Sequence, residues 1–176
     1  MKKLSILLVA ILLAVCLIPL AACGETEQYK EFYDMVTGLN YEVTPPDGYE
    51  YVNFHVAKHT DYIEFYANTA PWSASLYVYG NPENPLVFWY REVYEEGSTR
   101  QERILMLNYQ TSTATPELKQ MLISSQSADD THPLYEEVLQ NAQQAYDLLL
   151  PMVNDLASQL SNGKYNSIDQ LRIGAN

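Results

Sequence analysis

Residues 41–110 read YEVTPPDGYEYVNFHVAKHTDYIEFYANTAPWSASLYVYGNPENPLVFWYREVYEEGSTRQERILMLNYQ, and the reading of this stretch decides the fold. Short runs of β-branched and aromatic residues alternate with turn-forming residues, the pattern of strands joined by tight connections. Strands are expected near residues 49–56, 61–67, 74–79, 86–94 and 101–110. The breaks fall at Pro45-Pro46-Asp47-Gly48, at Lys58-His59-Thr60, at residues 68–72, at residues 80–85 and at Glu95-Glu96-Gly97. Each gap is short, so neighbouring strands pair antiparallel as a meander of about five strands.

Alternation then sorts the side chains. Val52, Phe54 and Val56 point one way, with Tyr51, Asn53 and His55 opposite. Ile63 and Phe65 oppose Tyr62, Glu64 and Tyr66, and Leu76 and Val78 oppose Ser75, Tyr77 and Tyr79. One face is therefore aliphatic and needs a cover, while the other carries tyrosines and polar groups. The fourth and fifth strands are ambiguous, because Leu86, Phe88 and Tyr90 alternate with Val87 and Trp89.

The cover is legible downstream. Thr131-His132-Pro133 opens a long helical pattern that runs to about Leu160. Tyr135, Val138, Ala142, Ala145, Leu149, Met152, Leu156 and Leu160 recur at intervals of three and four, and Ser161-Asn162-Gly163 ends the run. Pro151 lies inside it and is expected to kink it. Thr115-Pro116-Glu117 has the signature of another helix start, with that helix reaching about Ser125. A further short turn is expected at residues 167–171. Upstream, Thr26 precedes Tyr29, Phe32, Tyr33 and Val36, an apolar stripe that Gly38 is placed to stop. A frayed stalk is the alternative for this segment. The whole reads as an α+β domain: an N-terminal helix, the meander, and a long C-terminal amphipathic helix packed on one sheet face.

The first residues concern address rather than fold. Met1, Lys2 and Lys3 precede an uncharged apolar run from Leu4 to Ile18, and Pro19 follows. This is a charged segment followed by an apolar one, the pattern of an export signal. Leu20-Ala21-Ala22-Cys23 then resembles the lipobox of bacterial lipoproteins. The resemblance implies that residues 1–22 form a signal peptide that is cleaved. It also implies that Cys23 receives a diacylglycerol on sulfur, and that residues 23–176 form a single extracytoplasmic domain tethered to the membrane. In a host with two membranes, Gly24 after the Cys permits the outer one. An ordinary secretory signal and a retained membrane helix over residues 4–22 are the alternatives.

Composition bounds the partners. The chain carries 10 Lys and Arg against 22 Asp and Glu, a formal charge of −12. Loss of residues 1–22 removes two lysines and no acid, so the remaining domain is more acidic still. Nucleic acid is an unsuitable partner for such a surface, and anionic lipid repels it, so the tether must hold it to the membrane. The second cysteine, Cys16, lies within the signal, leaving no internal disulfide. No cofactor or metal is called for. His55, His59 and Asp61 form an H-x-x-x-H-x-D pattern, but across a strand end and a turn rather than on one helix face. Glu64 and Glu92 are the carboxylates with a chance of facing each other across the sheet, as a hydrolase would require.

What the sequence offers instead is fifteen tyrosines, several on one sheet face. Tyr51, Tyr62, Tyr66, Tyr77 and Tyr79, with Trp72 in a loop at the sheet end, are the candidate contacts for a protein, peptide or glycan. Tyrosine combines apolar area with a hydroxyl that seeks a partner. Cross-strand packing alone is the competing account of the same residues. The expected function is a noncatalytic binding or assembly module of the bacterial envelope. The alternatives are a carrier holding an apolar ligand between sheet and helices, and a hydrolase of envelope polymers.

Overall fold

The structure, a computed structural model, describes residues 24–37, 41, 52–96 and 99–173. The segment over residues 1–22, Cys23, Gly38, the turn at residues 45–48 and Tyr51 lie outside them. The chain forms an α+β fold in which one antiparallel sheet of seven strands is covered on one face by helices. In chain order come α1 (Glu27–Met35), β1 (Asn53–Lys58), β2 (Tyr62–Thr69), β3 (Trp72–Tyr79), β4 (Leu86–Glu96) and β5 (Thr99–Tyr109). They are followed by β6 (Glu117–Ile123), β7 (Gln126–Ser127), α2 (Tyr135–Leu160) and α3 (Ile168–Ile173). Spatial order equals chain order, so every connection within the sheet is a simple meander step.

The sheet has more strands than the five expected, and the difference lies after residue 110. Residues 117–123 form β6 rather than a helix. A bulge opposite Met106 and Leu107 explains the misleading pattern. Leu107 pairs with Leu118 and Met106 with Gln120, which leaves Lys119 as the extra residue. The bulge reverses the alternation, so Leu118 packs toward the core and Met121 and Ile123 are buried on the same side. Leu118, Met121 and Leu122 thus stand at helical intervals on a strand. Ser124 and Ser125 both adopt positive φ, 52° and 66°, and turn the chain into β7. Thr115 and Pro116 belong to the loop that leads into β6.

The core lies between sheet and helices. Phe54, Val56, Ile63, Phe65, Leu76, Val78, Leu86, Phe88 and Leu105 are all at most 4% exposed on the sheet's inner face. The apolar stripe of α2 meets them, burying Val138, Ala142, Ala145, Leu149, Met152 and Leu156, with Tyr146, Val153 and Ala157 widening the contact. Pro151 is accommodated on the exposed side of this continuous helix. The helix closes as the chain turns left-handed at Asn162 and Gly163: Gly163 N–H donates to Ser158 O at 2.8 Å and Asn162 N–H to Gln159 O at 3.3 Å. At its start, His132 Nδ1 accepts from Leu134 N–H at 3.1 Å.

Helix α1 docks on the same face. Thr26 caps it, accepting from Tyr29 N–H at 3.1 Å, and Tyr29, Phe32 and Val36 are buried. Thr26 N–H donates to Gly80 O at 3.1 Å, and the Thr26 hydroxyl donates to Leu171 O, so α1 is held to β3 and to α3 at once. Tyr29 lies so close to Gly80 that a Cβ there would stand 2.4 Å from its ring.

Candidate functional site

The uncovered face of the sheet carries the residues of interest, and the strand register fixes their neighbours. One cross-strand row runs His55, Tyr66, Ser75, Trp89, Met106 and Gln120 from β1 to β6. The next row toward the β2–β3 turn runs Asn68, Ser73, Arg91, Ile104 and Leu122. The next row the other way runs Glu64, Tyr77, Val87 and Asn108.

Small residues on β3 between large ones on β2 and β4 make a slot. Ser73 and Ser75 form its floor, Ser75 being 8% exposed, and Tyr66 and Asn68 stand on one side with Trp89 and Arg91 on the other. Tyr77 closes one end. Two contiguous depressions, of about 240 and 450 Å³, share Tyr66, Ser73 and Arg91 and together trace this slot toward Ala70 and Pro71. Tyr66 and Trp89 stand two strand spacings apart, roughly 10 Å between backbones.

The walls are held in place. The His55 ring lies 4.4 Å from that of Tyr66, and Asn68 Nδ2–H donates to the Tyr66 hydroxyl at 3.0 Å. Arg91 Nε–H donates to Glu102 Oε1 at 2.5 Å, which balances its charge locally. Ser75 donates to Glu64 Oε1 at 2.8 Å, and the other oxygen of Glu64 lies 3.2 Å from His59 Nε2. Burial, and then the nearby Glu64 carboxylate, raise the pKa of the Tyr77 phenol, so it keeps its proton well into alkaline solution. Beyond Tyr77, the Tyr62 ring sits 5.2 Å from that of Tyr77, 5.3 Å from that of Tyr79 and 4.3 Å from that of His59.

Of the residues singled out from sequence, Tyr62, Tyr66, Tyr77 and Tyr79 share this face, all half-buried. Trp72 does not. It is the first residue of β3, not a loop residue, and it pairs with Thr69 across the two-residue turn at Ala70 and Pro71, which are joined by a cis peptide bond. The period of two puts it with Ala74 and Leu76 on the helix side, where it packs against the core. Tyr51 and Cys23 lie outside the described residues. Sequence reasoning did not select Ser73, Ser75, Trp89 or Arg91. The unbroken run Leu86 to Tyr90 hid which of its residues faced out, whereas the register shows Leu86, Phe88 and Tyr90 buried and Val87 and Trp89 on the open side.

The two carboxylates considered for hydrolysis are separated by the sheet itself. Glu64 is on the open face, but Glu92, 2% exposed, is on the helix side. There Arg103 Nη1–H donates to it at 3.4 Å and to Glu137 of α2 at 2.6 Å. Asn141 Nδ2–H donates to Glu92 at 3.1 Å, and the Tyr94 hydroxyl donates to it as well. Glu92 thereby ties α2 to β4 and β5. His55 and His59 are each engaged by a tyrosine ring, and among the described residues no three His, Cys, Asp or Glu converge as metal ligands would. Among the described residues no helix is long and apolar enough to cross a membrane.

No protein-family model, no curated protein and no solved structure matches the chain.

Proposed function

We propose that this chain is a lipid-anchored protein of the bacterial envelope, tethered through Cys23 at the extracytoplasmic face, whose open sheet face is a noncatalytic binding surface. The observation that carries the binding reading is the slot: two serines flooring a channel between Tyr66 and Trp89, on a face that no element among the described residues covers. Residues that only packed against one another across strands would leave no such channel.

Anchoring suits this geometry. Cys23 lies three residues before Thr26, within about 10 Å of chain, and Thr26 is bonded to Gly80 at one end of the sheet. The slot opens at the other end, by Pro71. A ligand would then enter from the side away from the bilayer. The outer membrane is the destination proposed for a host that has two. A carrier enclosing an apolar molecule is less well supported, because the space between sheet and helices is filled by core side chains.

Two experiments test the proposal. Cys23→Ala is expected to abolish incorporation of labelled palmitate, and continued labelling rejects the tether. Full-length protein isolated from its membranes is expected to carry envelope material detectable by mass spectrometry. The triple variant Tyr62→Ser, Tyr66→Ser, Tyr77→Ser should lose that material while keeping most of its thermal stability. A collapse of stability instead would show that the rings serve packing.

A further inference from the structure

Building on the binding reading above, we infer that the slot receives a sugar ring of an uncharged glycan chain, held between Tyr66 and Trp89 over the serine floor. A pyranose has apolar faces and a polar rim. A ring centred in a gap of roughly 10 Å would lie about 5 Å from each wall, inside the favourable range for ring contacts. Its rim would meet hydroxyls at Ser73 and Ser75, the Asn68 amide and the Arg91 guanidinium, of which only the Nε–H is used by Glu102.

Charge argues against the anionic alternatives. The chain carries −12 overall, Glu64 and Glu95 border the slot, and Arg91, its one cation among the described lining residues, is already paired. An anionic chain would be repelled over the whole surface for one shared positive charge. An uncharged chain is indifferent to that field, so its binding should change little with salt. The slot is blind at Tyr77 and open at Pro71, which fits the end of a chain, or a side branch, better than a strand passing through.

The chain has two tryptophans, and they lie on opposite faces of the sheet, which supplies the assay. Trp72→Phe leaves Trp89 as the only indole. The full-length variant, kept in a detergent without a sugar headgroup, is titrated with cello-, chito- and malto-oligosaccharides, and Trp89 emission is followed. The expected result is a saturable change with at least one series at millimolar concentration or below, unaltered between low and high salt. Ser73→Leu, which fills the floor, should weaken it at least tenfold. Tyr66→Ala should do the same, and circular dichroism melts verify that both variants fold. Absence of a response to all three series overturns the sugar inference. A response to a proline-rich peptide in its place overturns it too, while leaving the binding reading intact. Only if the native protein also carries no envelope material does the binding reading fall with it.

Discussion

Arg172 is the residue that fastens the Gly80 end of the molecule. It is 1% exposed, and its guanidinium donates to the carbonyls of Tyr79, Pro82 and Gln110, each at 3.3 Å, and to that of Asn84. Burial lowers its pKa, yet an arginine keeps its proton, and five donors in one plane can serve several carbonyls together. Asp169, one turn earlier, accepts from the Ser112 amide at 2.9 Å and from its hydroxyl at 2.6 Å. Six residues of α3 therefore hold two loops. Arg172→Ala should cost about 3 kcal/mol or more, since it strips buried acceptors of their shared donor. Arg172→Lys should recover only part, as a point charge lacks the planar fork. Urea denaturation midpoints measure both. Gly80 acts by its lack of a side chain. Gly80→Ala would press on the Tyr29 ring and should destabilise by about 1–3 kcal/mol. In combination with Tyr29→Ala, thermal melts should show less than the sum of the two losses, because the contact is then already gone.

At the scale of elements, legibility followed regularity. The stripe of α2 was readable because its period is unbroken over 26 residues. Strands β2 and β3 were readable because each alternates strictly. Where alternation failed, the cause was local. The bulge at Lys119 gave β6 a helical spacing, and Thr115-Pro116 added a helix-start signature to it. Pro71 made Trp72 look like a loop residue, although the turn needs only two residues and Trp72 already pairs with Thr69. The slot stayed hidden for a different reason. Ser73 and Ser75 matter through what stands opposite them, and cross-strand partners are a property of register, which no single strand records. The turn Ser124-Ser125 also lacks the Asn-Gly signature of its conformation. Replacing the pair by Asn-Gly should therefore stabilise the protein by about 0.5–1 kcal/mol, read from the shift in melting temperature. If residues 117–125 were helical, the same change would be destabilising.

For the molecule as a whole, the first and last helices share a boundary. Glu31 of α1 accepts from Lys164 Nζ and from the Tyr165 hydroxyl, both at 2.5 Å, and the Thr26 hydroxyl reaches Leu171 O. The hydrogen bonds from Lys164 and Tyr165 lower the pKa of the Glu31 carboxyl below its ordinary 4.5. The ionised form thus favours the folded state. Its contribution is complete above about pH 4.5 and is lost as pH falls through the lowered native value. Glu31→Gln should therefore lower the melting temperature at pH 7, with the gap to the wild type closing in strong acid. The effect should be small, because the pair is solvent-exposed.

The order of the elements has a temporal meaning. Every sheet pairing joins neighbours along the chain, so hairpins can form one after another as the chain is made. The helix that roofs them is synthesised only after the last strand. Until then a wide apolar surface waits in the open, and α1, though made first, cannot complete its seat before α3 arrives. A nascent chain halted ahead of Tyr135 should consequently aggregate and bind a hydrophobic dye, whereas the finished chain should do neither. Whatever machinery handles this protein before completion must shield a sheet still lacking its roof.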